Sequence, residues 1–170
     1  MRPIHRAFLV AFILAATSSS LRAQDSEAGI ALGRTPAAAA LEDLNGGPAD
    51  LSRLVAGMPA LIEFWATWCT RCRALEPRLT AAHGRFGTRV RFIAVAVAVN
   101  QTAAAVRRHV AGHPMPYPVL WDAKGSAVRA FEAPSTSYIV VLNKAGKVAY
   151  TGVGVEQNFE AALDRVVSAN

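Results

Sequence analysis

The 170-residue chain contains two cysteines, Cys69 and Cys72, with Thr70 and Arg71 between them. They end the segment Ala60-Leu61-Ile62-Glu63-Phe64-Trp65-Ala66-Thr67-Trp68-Cys69, an apolar run that carries one acid. The residues after Cys72 read as helix. A buried strand that turns and delivers Cys-x-x-Cys to a helix N-terminus is a recipe for a reactive thiol. Unpaired amides and the positive end of the helix dipole favour thiolate over thiol there. A structural bridge across so short a loop removes little entropy from the unfolded chain. The spacing therefore reads as a redox pair. Two thiolates can also hold a soft metal, and a copper-binding module using the same cysteines is the rival reading. No metal site is assigned. Two cysteines do not complete a zinc site alone, and His83, His109 and His113 lack tight ligand spacing, since Gly112 and Pro114 interrupt the face that His109 and His113 would share.

The elements that must position this pair follow from periodicity. Pro59 opens a strand over 60–65. A helix is expected from Cys72 to about Phe86, because Leu75, Leu79, Ala82 and Phe86 recur at helical spacing; Pro77 should kink it. The valine-rich stretch 90–99 is expected as a strand buried on both faces. Helices are expected over 103–111, 125–131 and about 156–167, and strands over 119–121, 138–142 and 147–150, the last two joined by Asn143-Lys144-Ala145-Gly146. Upstream, residues 41–51 read as a hairpin around Asn45-Gly46-Gly47-Pro48. Ser52 can cap a short helix over 53–56. The alternation gives an α/β fold, a central mixed sheet with helices on both faces.

The N-terminus has its own pattern. Arg2, His5 and Arg6 precede an apolar stretch, Ala7 to Ala16, too short to span a bilayer. A small, polar exit follows, ending at Ala23. Residues 1–23 have the form of a signal peptide, with an uncleaved membrane anchor as the alternative. The Ala-rich residues 24–37 are expected as a flexible leader, and 38–170 as the folded domain. The protein is then periplasmic or secreted. Without Arg2, Arg6 and Arg22 the formal net charge falls from +6 to +3. The remaining arginines lack interleaved aromatics, so nucleic-acid binding is not read here.

Phe64-Trp65-Ala66-Thr67-Trp68-Cys69-x-x-Cys72, with Pro77 beyond it, resembles the active-site segment of the thioredoxin superfamily. Leu41-Glu42-Asp43-Leu44-Asn45-Gly46, Tyr117-Pro118-Val119-Leu120-x-Asp122 and Leu142-Asn143-Lys144-Ala145-Gly146-Lys147-Val148 resemble landmarks of its TlpA/ResA-like branch of exported thiol–disulfide oxidoreductases. The resemblance covers roughly residues 38 to 168. It implies a thioredoxin-like fold with an N-terminal β-hairpin extension. Three positions depart from the family. Arg71 stands where proline usually precedes the second cysteine. The cis-proline position falls on Ser137, unless a longer loop brings Pro134 there; we take Ser137, and expect a trans bond because a cis non-proline bond costs about 2.5–4 kcal/mol. Leu75 replaces a glutamate used by some members, and Glu76 lies one place on, about 100° around the helix.

The resemblance implies roles for particular residues. Cys69 is the expected nucleophile, and Cys72, expected to be more buried, resolves the mixed disulfide. Glu63 matches a buried proton acceptor of thioredoxins, and desolvation should raise its pKa. Arg71 should favour the thiolate and pull toward an oxidising pair, whereas the family implies a reductant, for example in cytochrome c maturation. Trp68, Thr70, Arg71, Thr136 and Ser137 are the expected substrate-binding residues. No cofactor is expected beyond the Cys69–Cys72 disulfide. The expected partners are protein disulfides or dithiols and a membrane redox protein that recycles the pair, with the protein itself a monomer.

Overall fold

The computed structural model describes residues 29–169. The expected signal peptide and residues 24–28 of the expected leader lie outside them. The described chain runs β1 (Ala40–Asp43), β2 (Pro48–Asp50), α1 (Leu51–Leu54), β3 (Ala60–Trp65), α2 (Thr70–Phe86), β4 (Arg91–Val97), α3 (Ala103–Gly112), β5 (Val119–Asp122), α4 (Ser126–Ala130), β6 (Tyr138–Leu142), β7 (Val148–Val153) and α5 (Phe159–Ser168). The strands form one mixed seven-stranded sheet in the order β2-β1-β5-β4-β3-β6-β7. Strands β3, β4 and β5 are parallel, and the hairpins β1–β2 and β6–β7 join antiparallel on either side.

Strand β3 lies between β4 and β6, and all six of its residues are buried. Its pleat sends alternate side chains to opposite faces. Phe64 packs on Phe131 at 5.5 Å and Tyr138 at 5.6 Å, beneath α4. Glu63 and Trp65 face the other way, toward α2 and α3, where Trp65 meets His109 at 5.6 Å. Helices α2 and α5 lie together, joined by Arg78–Glu160 and Arg85–Asp164, each at 2.7 Å. Helices therefore cover both faces, as expected. Buried Asp122 fastens α4 to the sheet: its carboxylate accepts from the Val128 amide at 2.9 Å and from Ser126 Oγ at 3.2 Å.

Several boundaries differ from the sequence reading, each for a local reason. The carboxylate of Asp50, not Ser52, caps α1 by accepting from the Ser52 and Arg53 amides. Helix α2 starts at Thr70, because Cys69 itself is the cap. Strand β4 stops at Val97, and Asn100 turns with φ 52. Helix α5 starts at Phe159, where the Asn158 side chain accepts from the Ala161 amide. Within residues 29–37, expected as part of a flexible leader, Ile30, Gly33 and Arg34 are tied to the domain. Ile30 is 1% exposed and its amide donates to the Phe131 carbonyl. Gly33 and Arg34 exchange backbone hydrogen bonds with Val148 at the start of β7.

Candidate active site

The sharp turn after β3 places Cys69 at the N-cap of α2. The Cys69 amide donates to the Ala66 carbonyl at 3.0 Å, and the Cys72 amide donates to Cys69 Sγ at 3.1 Å. Cys69 and Cys72 form a disulfide, with their Cα atoms 5.3 Å apart. When the pair is reduced, a charge on Cys69 Sγ has that amide and the helix N-terminus to stabilise it. The two cysteines are equally buried, at 4% and 5% exposure, where Cys72 was expected to be the deeper. The reason is the cap geometry, which tucks the Cys69 sulfur against the first turn of its own helix.

Beside the disulfide lies an open groove of about 410 Å³, lined by Trp68, Arg71, Val97, Val99, Val128, Ala133, Pro134, Ser135 and Thr136. The structure thus brings together Trp68, Arg71 and Thr136 from the expected substrate-binding set. Trp68 is 46% exposed, and its Nε1 donates to the Val99 carbonyl at 2.8 Å. Thr70 is exposed but does not line the groove. Ser137 is fully buried and has φ 57, so its side chain cannot meet a docked substrate as part of the wall; only Thr136 reaches the groove. No peptide bond among the described residues is cis.

Behind Cys72 is a narrow cavity of about 10 Å³, lined by Glu63, Trp65, Ala66, Cys72, Arg73, Glu76, His109, Met115 and Tyr117. It has room for about one water molecule. Glu63 is 2% exposed. Burial, and secondarily the negative charge of Glu76, push its carboxyl up to about 8. Burial also raises the Tyr117 phenol, with Glu63 and Glu76 adding to the effect. His109 is pushed down by burial first and by His113 second; the two rings stack at 4.8 Å. Among the described residues, no group of three or more His, Cys, Asp or Glu is placed to hold a metal ion.

Sequence reasoning missed two participants. Glu76 lies one place out of register with the family's glutamate, yet it lines the Glu63 cavity, while Leu75 is buried in the core. Gln101 braces the active-site turn from 34 residues away. Its Oε1 accepts from the amide and the hydroxyl of Thr67, both at 2.9 Å, and its Nε2 donates to the Val97 carbonyl at 2.7 Å.

Comparison with known proteins agrees with this geometry. The chain is 30% identical over 108 residues to the thiol-disulfide oxidoreductase ResA of Bacillus subtilis, covering 64% of this chain and 59% of that protein. The chain thus spans less than two thirds of that relative's length. ResA of Halalkalibacterium halodurans is 25% identical over 128 residues, covering 74% of this chain and 72% of the relative. Among solved structures, one described as the thiol:disulfide interchange protein DsbE of Chlorobium tepidum superposes with a TM-score of 0.70 at 23% identity, covering 82% of this chain and 97% of that one. That likeness shows a shared thioredoxin-like fold. The Redoxin family profile matches residues 28–167. The chain therefore belongs to the Redoxin family, as a TlpA/ResA-like protein of the thioredoxin superfamily.

Proposed function

We propose that the protein is an exported thiol–disulfide oxidoreductase that acts as a monomer and reduces disulfides of periplasmic proteins through Cys69 and Cys72. The observation that carries this reading is the disulfide at the N-terminus of α2, whose Cys69 sulfur receives the Cys72 amide. The named activity of the ResA relatives supports it. The signal-peptide form of residues 1–23 supports export, with residues 38–170 as the catalytic domain. The recycling partner is a membrane redox protein, and cytochrome c maturation is the pathway class the family suggests.

The chemistry follows from the site. In the reduced protein the Cys69 thiolate attacks one sulfur of a substrate disulfide, and the other substrate sulfur leaves as thiolate. Cys72 then gives its proton to the Glu63 carboxylate across the small cavity and attacks Cys69 Sγ. The second substrate thiolate departs, and two electrons have passed from the dithiol to the substrate. The reverse sequence oxidises a dithiol. Trp68, Arg71 and Thr136 border the groove that receives the substrate, and the Arg71 charge favours the thiolate.

Trapping tests both roles. Cys72→Ser should accumulate a mixed disulfide between Cys69 and a peptide disulfide, whereas Cys69→Ser should form none, as read by mass spectrometry. The opposite pattern would reassign the nucleophile. Tight stoichiometric copper binding without any thiol exchange would overturn the enzyme reading in favour of a metal-binding module.

A further inference from the structure

We infer that Gln157, 85 positions after Cys72 in the loop between β7 and α5, is a positioning residue that sets the wall on which the substrate docks. The inference rests on the proposed function, since it assigns the groove to a disulfide substrate. The wall is Thr136, and the corner behind it is Ser137, just before Tyr138 pairs with Phe64 of β3. Ser137 has φ 57, a left-handed conformation that side chains with a Cβ disfavour. Something outside the corner must hold it.

Hydrogen bonds to its carbonyl do so. The Ser137 carbonyl accepts from the Gly154 amide at 3.1 Å and from Gln157 Nε2 at 3.0 Å. The same Nε2 donates to the Gly154 carbonyl at 2.7 Å, so one amide group ties two loops together. Gly152 leaves the space for it, because a Cβ there would lie 2.8 Å from Gln157 Oε1. The Gln157 backbone is fixed in turn. Its carbonyl accepts from Arg78 Nη2 at 2.7 Å, and Arg78 also holds the Val155 carbonyl and Glu160. Arg78 belongs to α2, the helix that carries the cysteines at its start. The disulfide and the docking wall are thereby referenced to one helix.

The unsatisfied atoms point the same way. Gln157 Oε1 and Ser137 Oγ are buried without a partner, which is a cost in a protein interior. A glutamine retained only for packing would be better replaced by an apolar side chain of the same size. What this one supplies is its donor end, aimed at the corner of the wall.

Two variants test this. Gln157→Met keeps the length and loses both donors. Gln157→Glu keeps the shape and points a carboxylate at two carbonyl oxygens. For a peptide disulfide, each should raise KM by about tenfold with kcat held within about twofold, the Glu variant more than the Met variant. The Cys69–Cys72 reduction potential against glutathione should stay at the wild-type value, and amide hydrogen exchange over 135–138 should quicken. If one variant fails to fold, the other still decides. A fall in kcat at unchanged KM, a shifted potential, or unchanged kinetics would overturn the inference. Wild-type protein that exchanges with no disulfide would sink the proposed function, and the docking role with it. Active wild type with an unmoved KM in the variants sinks the docking role alone.

Discussion

Glu63 is an acid in the middle of an apolar strand, and its environment determines when it can act. Burial penalises the charged form, and the negative charge of Glu76 adds to this, so the proton stays on up to about pH 8. Its ionised form accepts the proton of Cys72, so the resolving step gains its base as pH rises toward about 8. In Glu63→Gln, the pH-dependent rise of the resolving step through about pH 8 should vanish and the step should slow by about a hundredfold, as measured by single-turnover release of the reduced peptide. The same shift makes a statement about stability. Below about pH 4.5 the folded and unfolded forms both hold the proton; between there and about 8 only the folded form does. Wild-type stability should therefore fall as pH rises through that window, by about 1.4 kcal/mol per pH unit. Urea titrations at the two ends of the window should show the loss in wild type and a much flatter profile in Glu63→Gln.

At the scale of elements, the site is made by three loops that secondary structure alone does not fix. The turn from β3 into α2 is pinned by Gln101, which takes two donors from Thr67 and gives one to Val97. Gln101→Ala should cost about 1–3 kcal/mol, because it strands the partners of three hydrogen bonds in a part-buried site. It should also slow exchange at Cys69, and a substrate-reduction rate equal to wild type would count against the brace. This is also where the sequence stops being readable. The Cys-x-x-Cys, the apolar strand before it and the heptad-like stripe of α2 are local patterns, and each marks its element. Gln101 meets Thr67 across 34 residues, and Gln157 meets Ser137 across 20. A glutamine in a polar loop carries no periodic signal of such a contact. Glu76 was missed for a related reason: its position on the helix is readable, but the cavity it faces is formed by β3, α3 and the segment before β5 as well.

At the scale of the molecule, residues 29–34 act as a strap across elements that are far apart in the chain. Ile30 is anchored by the Phe131 carbonyl and by the Tyr138 hydroxyl at 3.2 Å, and Gly33 and Arg34 extend the pairing at β7. Its composition concealed it: alanines and glycines around a single buried isoleucine look like a linker. Ile30→Ala should cost about 2–4 kcal/mol, read by urea denaturation of the full chain. A loss below about 0.5 kcal/mol, the scale of an ordinary surface substitution, would show that the strap contributes little to the fold.

The half-exposed indole of Trp68, tethered by its Nε1 to Val99 and adjoining Cys69 in the chain, gives the protein a built-in optical gauge. A disulfide accepts an electron from an excited indole at short range, and a dithiol does so far less readily. The emission of this ring should therefore brighten when the pair takes up two electrons and dim when it gives them away. The proposed exchange at the sulfurs should then be visible in real time in the ultraviolet fluorescence of the unlabelled molecule, and an emission unchanged by reduction of the pair would count against the gauge.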